Sequence, residues 1–354
     1  MQFRCRTLVV GTRLALCMLV GTGLAVALST GSNAIAAPST ALALPSPGCR
    51  VASAVPAGEQ TVSYDAAGED GLYIEDVPPS QTEARPLPLV FDLHGYLEPA
   101  SLQNEITGLG RFGDAHGFVT ITPQVNFSVQ HWDVAPNSAD ITYLGDLLGH
   151  VEHTTCVDQR RIFFAGYSNG AWMTSVIACD FSSRVAAVAP VAGLQDFSWC
   201  RSSRPVPVVA FHGTADPFVA YQGGSGQGAL SLPALDDSGG MTGKTVGQEL
   251  AADPGAKIIG PLPASIPDQV GGWARRNGCS SAPSQRRIAG DVTLFDYSCP
   301  TGANVEFYRI TGGGHAWPGS TVSASLASAI GHTTFSIDAD QIMWAFFEAH
   351  PLRN

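Results

Sequence analysis

The sequence predicts an α/β fold, with a mainly parallel sheet flanked by helices in a single large domain. Short apolar runs rich in Val, Ile and Phe alternate along the chain with longer segments of helical period, the pattern of strand and crossover helix in a parallel sheet. The polar motifs sit just beyond the C-terminal ends of those runs, where parallel sheets open their sites. No repeat or second low-complexity module interrupts the 354 residues, so one core is expected.

Taken in order, residues 59–77 read as an antiparallel hairpin entering the sheet. Strands are expected at 87–93, 119–121, 161–167, 185–191, 206–211 and 305–310. Helices are expected at 140–155, 169–179, 267–277 and 338–349. In the last of these Ile342, Ala345, Phe346 and Ala349 share one face, as a helix covering a sheet requires. Residues 222–264 break the pattern. Between Tyr221 and Trp273 there is no aromatic residue, while ten glycines from Gly223 to Gly260 and both lysines of the chain, Lys244 and Lys257, fall there. A Gly-rich insertion or lid loop is expected, a long unstructured ornament being the other reading.

The first 36 residues hold Arg4, Arg6 and Arg13, no acid, an apolar stretch over 14–28 and the small-residue signal Ala34-Ile35-Ala36. They read as a cleaved secretory signal, so the mature domain covers 37–354 and has no membrane span. Losing three arginines takes the formal charge from −11 to about −14. That balance argues against nucleic acid as a partner.

Six cysteines remain in the mature chain, an even number suited to disulfides in an exported protein. Cys279 with Cys299 closes a loop of about 21 residues, a constraint contributing roughly 3 kcal/mol. Cys179, after a predicted helix, is expected to pair with Cys200, before the next strand. Cys49 and Cys156 are left for each other, and buried free thiols are the alternative. His150, His153 and Cys156 lie on one helical stripe and are not read as metal ligands. No metal and no cofactor is expected.

Gly166-Tyr167-Ser168-Asn169-Gly170 joins a strand ending at Ala165 to a helix starting at Ala171. A sharp strand-to-helix turn holds its apex in a strained conformation and needs small neighbours, so Ser168 is the candidate nucleophile. The strand at 206–211 leads into His212-Gly213-Thr214-Ala215-Asp216, and the strand at 305–310 leads into Gly312-Gly313-Gly314-His315. Ser, Asp, His is the order in which an α/β-hydrolase sheet supplies its triad. Ser168 would attack an ester carbonyl, His315 would carry the proton, and Asp216 would orient the imidazole. Oxyanion donors are expected from the backbone N–H of Asn169 and of Tyr96, in Leu93-His94-Gly95-Tyr96. His94 is read as support for that loop and His212 as a packing residue. Trp132 and Trp317 are candidate substrate contacts for an aromatic or apolar acyl group, with ordinary core packing as the other reading.

These residues resemble the secreted poly(3-hydroxybutyrate) depolymerase-like α/β-hydrolase esterases, a family that includes feruloyl esterases. The likeness rests on Leu93-His94-Gly95, the Ser168 pentapeptide, Pro190-Val191-Ala192-Gly193, the His212 to Asp216 segment, Trp273 to Cys279, and Gly312 to Gly319 with its His315-Ala316-Trp317-Pro318 core. The resemblance implies Ser168, Asp216 and His315 as triad. The chain departs from it at Gly170-Ala171-Trp172, where two glycines often follow Ser-Asn, and in the insertion after Tyr221.

The function expected is that of a secreted, extracellular serine esterase, a carboxylic ester hydrolase. It would act through an acyl-enzyme on a plant cell-wall feruloyl ester or a polyester. The alternative is an extracellular acyltransferase using the same triad on a cell-envelope acceptor. A catalytically silent binding domain is disfavoured because all three triad positions are filled.

Overall fold

Along the strand Leu87–Leu93 the side chains of Leu87, Leu89, Phe91 and Leu93 enter one apolar core, and Val90 enters another. Successive side chains on a strand point to opposite faces, so a strand buried on both sides must be apolar throughout. The same division recurs at Ile162 and Phe164 against Phe163, Ala165 and Tyr167, and at Val208 and Ala210 against Val209 and Phe211. These are the middle strands of a sheet covered on both faces.

The structure is a computed structural model that describes residues 42–50, 55–81, 85–125, 128–236, 239–253 and 264–353. The leader expected at 1–36 lies outside them, as do 237–238 and 254–263 of the insertion. In chain order the elements are β1 (Gly58–Ser63), β2 (Leu72–Val77), β3 (Leu87–Leu93), α1 (Ala100–Thr107), α2 (Leu109–His116), β4 (Val119–Gln124), α3 (Ala139–Thr154), β5 (Val157–Tyr167), α4 (Asn169–Asp180), β6 (Ala187–Val191) and β7 (Val208–Gly213). There follow α5 (Gln227–Leu230), β8 (Pro233–Leu235), β9 (Met241–Thr245), α6 (Val246–Ala252), α7 (Ile266–Arg276), β10 (Ser284–Arg287), β11 (Val292–Tyr297), β12 (Val305–Ile310), α8 (Thr321–Ser325), α9 (Ala327–Ile330) and α10 (Ala339–Ala349).

Among the described residues ten strands form one sheet in the order β1-β2-β4-β3-β5-β6-β7-β12-β11-β10. The six from β4 to β12 run parallel, and antiparallel hairpins extend each edge. Every strand expected from sequence is present. The β10–β11 extension was not expected, because Ser284–Arg287 is wholly exposed and carries no apolar periodicity.

One face is covered by α3 and α7 through Leu144, Leu147, Leu148, Val151, Ile266, Val270 and Trp273, and by α4 through Met173, Val176 and Ile177. The other is covered by α10 through Met343, Trp344, Phe346 and Phe347. Phe91 stacks on Phe164 at 4.4 Å within the first core, and Phe163 on Phe347 at 4.5 Å in the second. Three of the covering helices start on side-chain caps: Ser138 for α3, Ser265 for α7 and Asp338 for α10 each accept a first-turn N–H. Gly108 and Gly117 end α1 and α2 in the left-handed conformation that glycine tolerates best.

Three disulfides join Cys49 to Cys156, Cys179 to Cys200, and Cys279 to Cys299. The first ties the N-terminal segment to the α3–β5 junction, and the second ties the end of α4 to the approach to β7. The third ties the end of α7 to the β11–β12 connection. Among the described residues no helix is long and apolar enough to cross a membrane.

Candidate active site

Ser168 stands between β5 and α4 with φ 56° and ψ −117°, a left-handed conformation that costs a non-glycine residue energy and persists only when its surroundings impose it. Close packing imposes it here. A Cβ at Gly166 would collide with the Gly170 carbonyl, and one at Gly170 would collide with the Leu93 carbonyl of β3. The Ser168 N–H donates to Val191 O of β6 at 2.9 Å, which fixes the turn to the neighbouring strand. The buried run Phe163–Tyr167 thus delivers a partly exposed serine at the sheet's C-terminal edge.

Asp216 lies in the loop leaving β7, and His315 in the loop leaving the adjacent β12. The structure brings them together, with His315 Nδ1 2.7 Å from Asp216 Oδ2. The loops are laced by backbone bonds, since Ala215 N–H donates to Gly313 O at 2.9 Å and Gly312 N–H to Thr214 Oγ1 at 2.8 Å. The other carboxylate oxygen, Oδ1, accepts the N–H groups of Phe218 at 2.8 Å and Val219 at 2.9 Å. Burial alone would raise this carboxyl's pKa. The charge and hydrogen bond of His315, with His212 and the Phe218 amide, outweigh burial and hold the pKa below the usual carboxylate range. Asp216 is therefore ionised, as an orienting carboxylate must be.

His315 meets the elbow through Tyr167, the residue before Ser168. The Tyr167 hydroxyl donates to the His315 carbonyl, and the two rings lie 4.9 Å apart. Among the described residues Ser168 Oγ makes no hydrogen bond, and catalytic hydrogen bonds commonly tighten only when substrate is bound.

On the other side of Ser168 runs the loop after β3. A Cβ at Gly95 would sit 3.4 Å from the Ser168 Cβ, so this backbone passes directly beside the candidate nucleophile. The Gly95 N–H is taken by Glu98 Oε2 at 2.7 Å, and the Leu97 N–H by Gln130 O at 2.7 Å. The N–H groups of Tyr96 and Asn169 have no acceptor among the described residues. Asn169 also opens α4, whose dipole favours negative charge at that end. Both are residues that the sequence marks as candidate oxyanion donors.

His94 is fully buried with its pKa lowered to about 4 by burial, so it is neutral. Its Nδ1 donates to Gly95 O at 2.7 Å, and its ring lies 4.7 Å from that of Trp132. Glu98, also buried, has its pKa raised by burial to about 8, against the lowering effect of the Gly95 N–H. Among the described residues the side-chain hydrogen bonds of both stay within residues 94–98.

Two expectations need correction. Trp132 and Trp317 are each only 1% exposed and present no face to a substrate. The Trp132 indole donates to His94 O at 3.0 Å, and the Trp317 indole to Asp340 Oδ1 at 2.8 Å. Both are framework residues of the site. His212 differs from its expected packing role as well: its Nε2 lies 2.9 Å from Val219 O and 3.3 Å from Asp216 Oδ2.

Sequence reasoning missed Phe218. It is partly exposed, follows Asp216 by two residues, and places its ring 5.0 Å from that of His315. Its proximity to Asp216 in the chain was the available signal.

The insertion carries secondary structure of its own. β8 and β9 pair, and Ala234, Val246, Leu230, Leu232 and Leu250 make a small separate core. It meets the site at two points. The Tyr96 hydroxyl donates to Pro233 O at 2.7 Å, and the Gly226 N–H donates to Phe218 O at 2.8 Å. Among the described residues no group of three His, Cys, Asp or Glu is placed to hold a metal ion. Cys156 is in a disulfide, and His150 packs on Tyr64 at 4.6 Å.

No protein-family model matches the chain. It is 29% identical over 195 residues to feruloyl esterase B of Piromyces equi, covering 53% of this chain and 31% of that protein. It is 24% identical over 241 residues to poly(3-hydroxyalkanoate) depolymerase C of Paucimonas lemoignei, covering 65% of this chain and 55% of the relative. The chain thus spans about a third of the first relative and about half of the second. Among solved structures, an acetyl xylan esterase from Aspergillus awamori matches with a TM-score of 0.52 at 15% identity, over 81% of this chain and 99% of the other. The fold is of the α/β-hydrolase type.

Proposed function

We propose that the chain is an exported serine carboxylic-ester hydrolase that works through an acyl-enzyme on Ser168. The observation that carries this reading is the 2.7 Å contact between His315 Nδ1 and an ionised Asp216, with the His315 ring 4.9 Å from that of Tyr167, the residue before the strained Ser168. Asp216 accepts the Nδ1 proton and so leaves the Nε2 lone pair of His315 free to act as base. Ser168 Oγ attacks the ester carbonyl carbon as His315 takes its proton. The carbonyl oxygen becomes an oxyanion between the N–H groups of Tyr96 and Asn169, each donor contributing about 2.7 to 4 kcal/mol of transition-state stabilisation. Collapse expels the alcohol, which receives the proton from His315. Water, deprotonated by the same imidazole, then releases the acid and restores Ser168.

The substrates proposed are hydroxycinnamoyl esters of cell-wall polymers and polyester-linked esters. The names of the two sequence relatives support both classes. A partly exposed Phe218 beside His315 supplies an apolar wall for the acyl group. Export is supported by the leader-like first 36 residues and the three disulfides.

The test is release of acid from methyl ferulate and from a 3-hydroxybutyrate oligomer, side by side, with the Ser168→Ala protein as blank. Preference for ferulate assigns an aromatic acyl pocket, and preference for the oligomer assigns a depolymerase. Turnover of neither, with acyl transfer to a sugar acceptor instead, would replace hydrolysis by the acyltransferase reaction.

A further inference from the structure

We propose that His212 is a positioning residue for the catalytic carboxylate, so that Asp216 is held by two imidazoles rather than one. The proposal rests on the serine-hydrolase reading and deepens it. His212 is the penultimate residue of β7 and is buried, with its Nε2 2.9 Å from Val219 O. A carbonyl only accepts, so Nε2 carries the proton and Nδ1 is the bare nitrogen. That Nδ1 is buried and has no hydrogen-bond partner among the described residues.

The Nε2–H has two effects on Asp216. It holds Val219, whose own N–H donates to Asp216 Oδ1 at 2.9 Å, so the imidazole, the Val219 peptide and the carboxylate close a ring. It also stands 3.3 Å from Oδ2, the oxygen that receives His315 Nδ1 at 2.7 Å. The carboxylate is thereby gripped on both oxygens, and its rotation away from His315 is blocked. The positive end of the N–H dipole also lowers the basicity of Oδ2, which keeps the shared proton on His315. Burial lowers the pKa of His212, so it performs both tasks as a neutral donor.

The other groups around the pair are His315, the Tyr167 hydroxyl, and Tyr221, whose ring lies 6.2 Å from His212 with Arg309 beyond it. Of these only His315 hydrogen-bonds the Asp216 side chain among the described residues.

The experiment compares His212→Phe, which keeps a ring but removes the donor, with His212→Gln, whose side-chain amide reaches the position of Nε2. Each is assayed on p-nitrophenyl acetate across pH. His212→Phe should lower kcat by roughly tenfold to a hundredfold, less than the ~10⁴ expected when the orienting Asp itself is neutralised. It should also move the acid limb of kcat/KM to higher pH, because a more basic Asp216 stabilises the His315 cation. His212→Gln should restore most of both. Should His212→Phe fail to fold, His212→Asn, too short to reach Val219 O, takes its place. A folded donor-less variant with unchanged kcat and an unmoved limb overturns the proposal, as does a glutamine variant no better than phenylalanine. Absence of Ser168-dependent turnover in the wild type would overturn the esterase reading itself, whereas normal wild-type turnover with a flat His212 series overturns this proposal alone.

Discussion

Asn169 brackets the backbone of Trp132: its Oδ1 accepts the Trp132 N–H at 2.6 Å, and its Nδ2 donates to the Trp132 carbonyl at 3.1 Å. The Trp132 indole in turn donates to His94 O, in the loop that offers the Tyr96 N–H. The residue after the candidate nucleophile thus uses its side chain to brace, through Trp132, the loop that carries the other proposed oxyanion donor. Asn169→Ala leaves its own backbone donor in place but unpairs two buried groups, each worth about 1 to 3 kcal/mol. A fall in kcat of roughly tenfold or more on p-nitrophenyl acetate, with KM little changed, is expected. Unchanged kcat would remove Trp132 from the support of the site.

On the proposed reading, the Phe218 side chain serves acyl recognition and not chemistry. Its ring is 5.0 Å from His315, while only its backbone N–H serves Asp216. Phe218→Ala should raise KM for methyl ferulate by about tenfold, the worth of a lost apolar contact of 1 to 3 kcal/mol. The acetate ester should be affected far less. Steady-state kinetics on the two esters decide it, and equal losses on both would place Phe218 outside the acyl pocket.

Two buried carboxyls should make stability fall with rising pH. Burial raises the pKa of Asp92 to about 7 and that of Glu98 to about 8, against ordinary values of 3.8 and 4.5. A raised folded pKa means the folded state holds the proton longer than the unfolded one. The stability these groups contribute is complete below the ordinary values and is lost as pH rises through about 7 and 8. Urea midpoints should therefore fall between pH 5 and pH 8. Asp92→Asn, which keeps an acceptor for Gln103, should flatten that fall, and an equally steep slope in this variant would contradict the assignment.

The Cys279–Cys299 disulfide ties the end of α7 to the β11–β12 connection and closes a loop with a sequence separation of 20. Replacing both cysteines by serine should cost about 3 kcal/mol, read as a lowered urea midpoint, with kcat unaltered. Loss of activity in a still-folded variant would show that the bridge shapes the site.

The fold was legible because its central strands are buried on both faces and therefore read as unbroken apolar runs, as at Leu87–Leu93. The candidate triad was legible because glycines and strand ends mark Ser168, Asp216 and His315. The roles of Trp132, Trp317 and His212 were not, since an indole or imidazole near a motif has the same letter whether it faces a ligand or a backbone carbonyl. Their partners, His94 O, Asp340 and Val219 O, come from segments whose approach only the folded chain defines. The insertion's β8–β9 pair was hidden for another reason. Its strands are short, Met241–Thr245 is largely exposed, and apolar periodicity is absent.

The most direct measurement is the turnover of methyl ferulate and p-nitrophenyl acetate by Ser168→Ala beside the wild type, with thermal unfolding of both as a control. The account predicts a loss on the order of a millionfold in kcat with the fold retained. Wild-type-like turnover by the alanine protein would contradict an acyl-enzyme on Ser168.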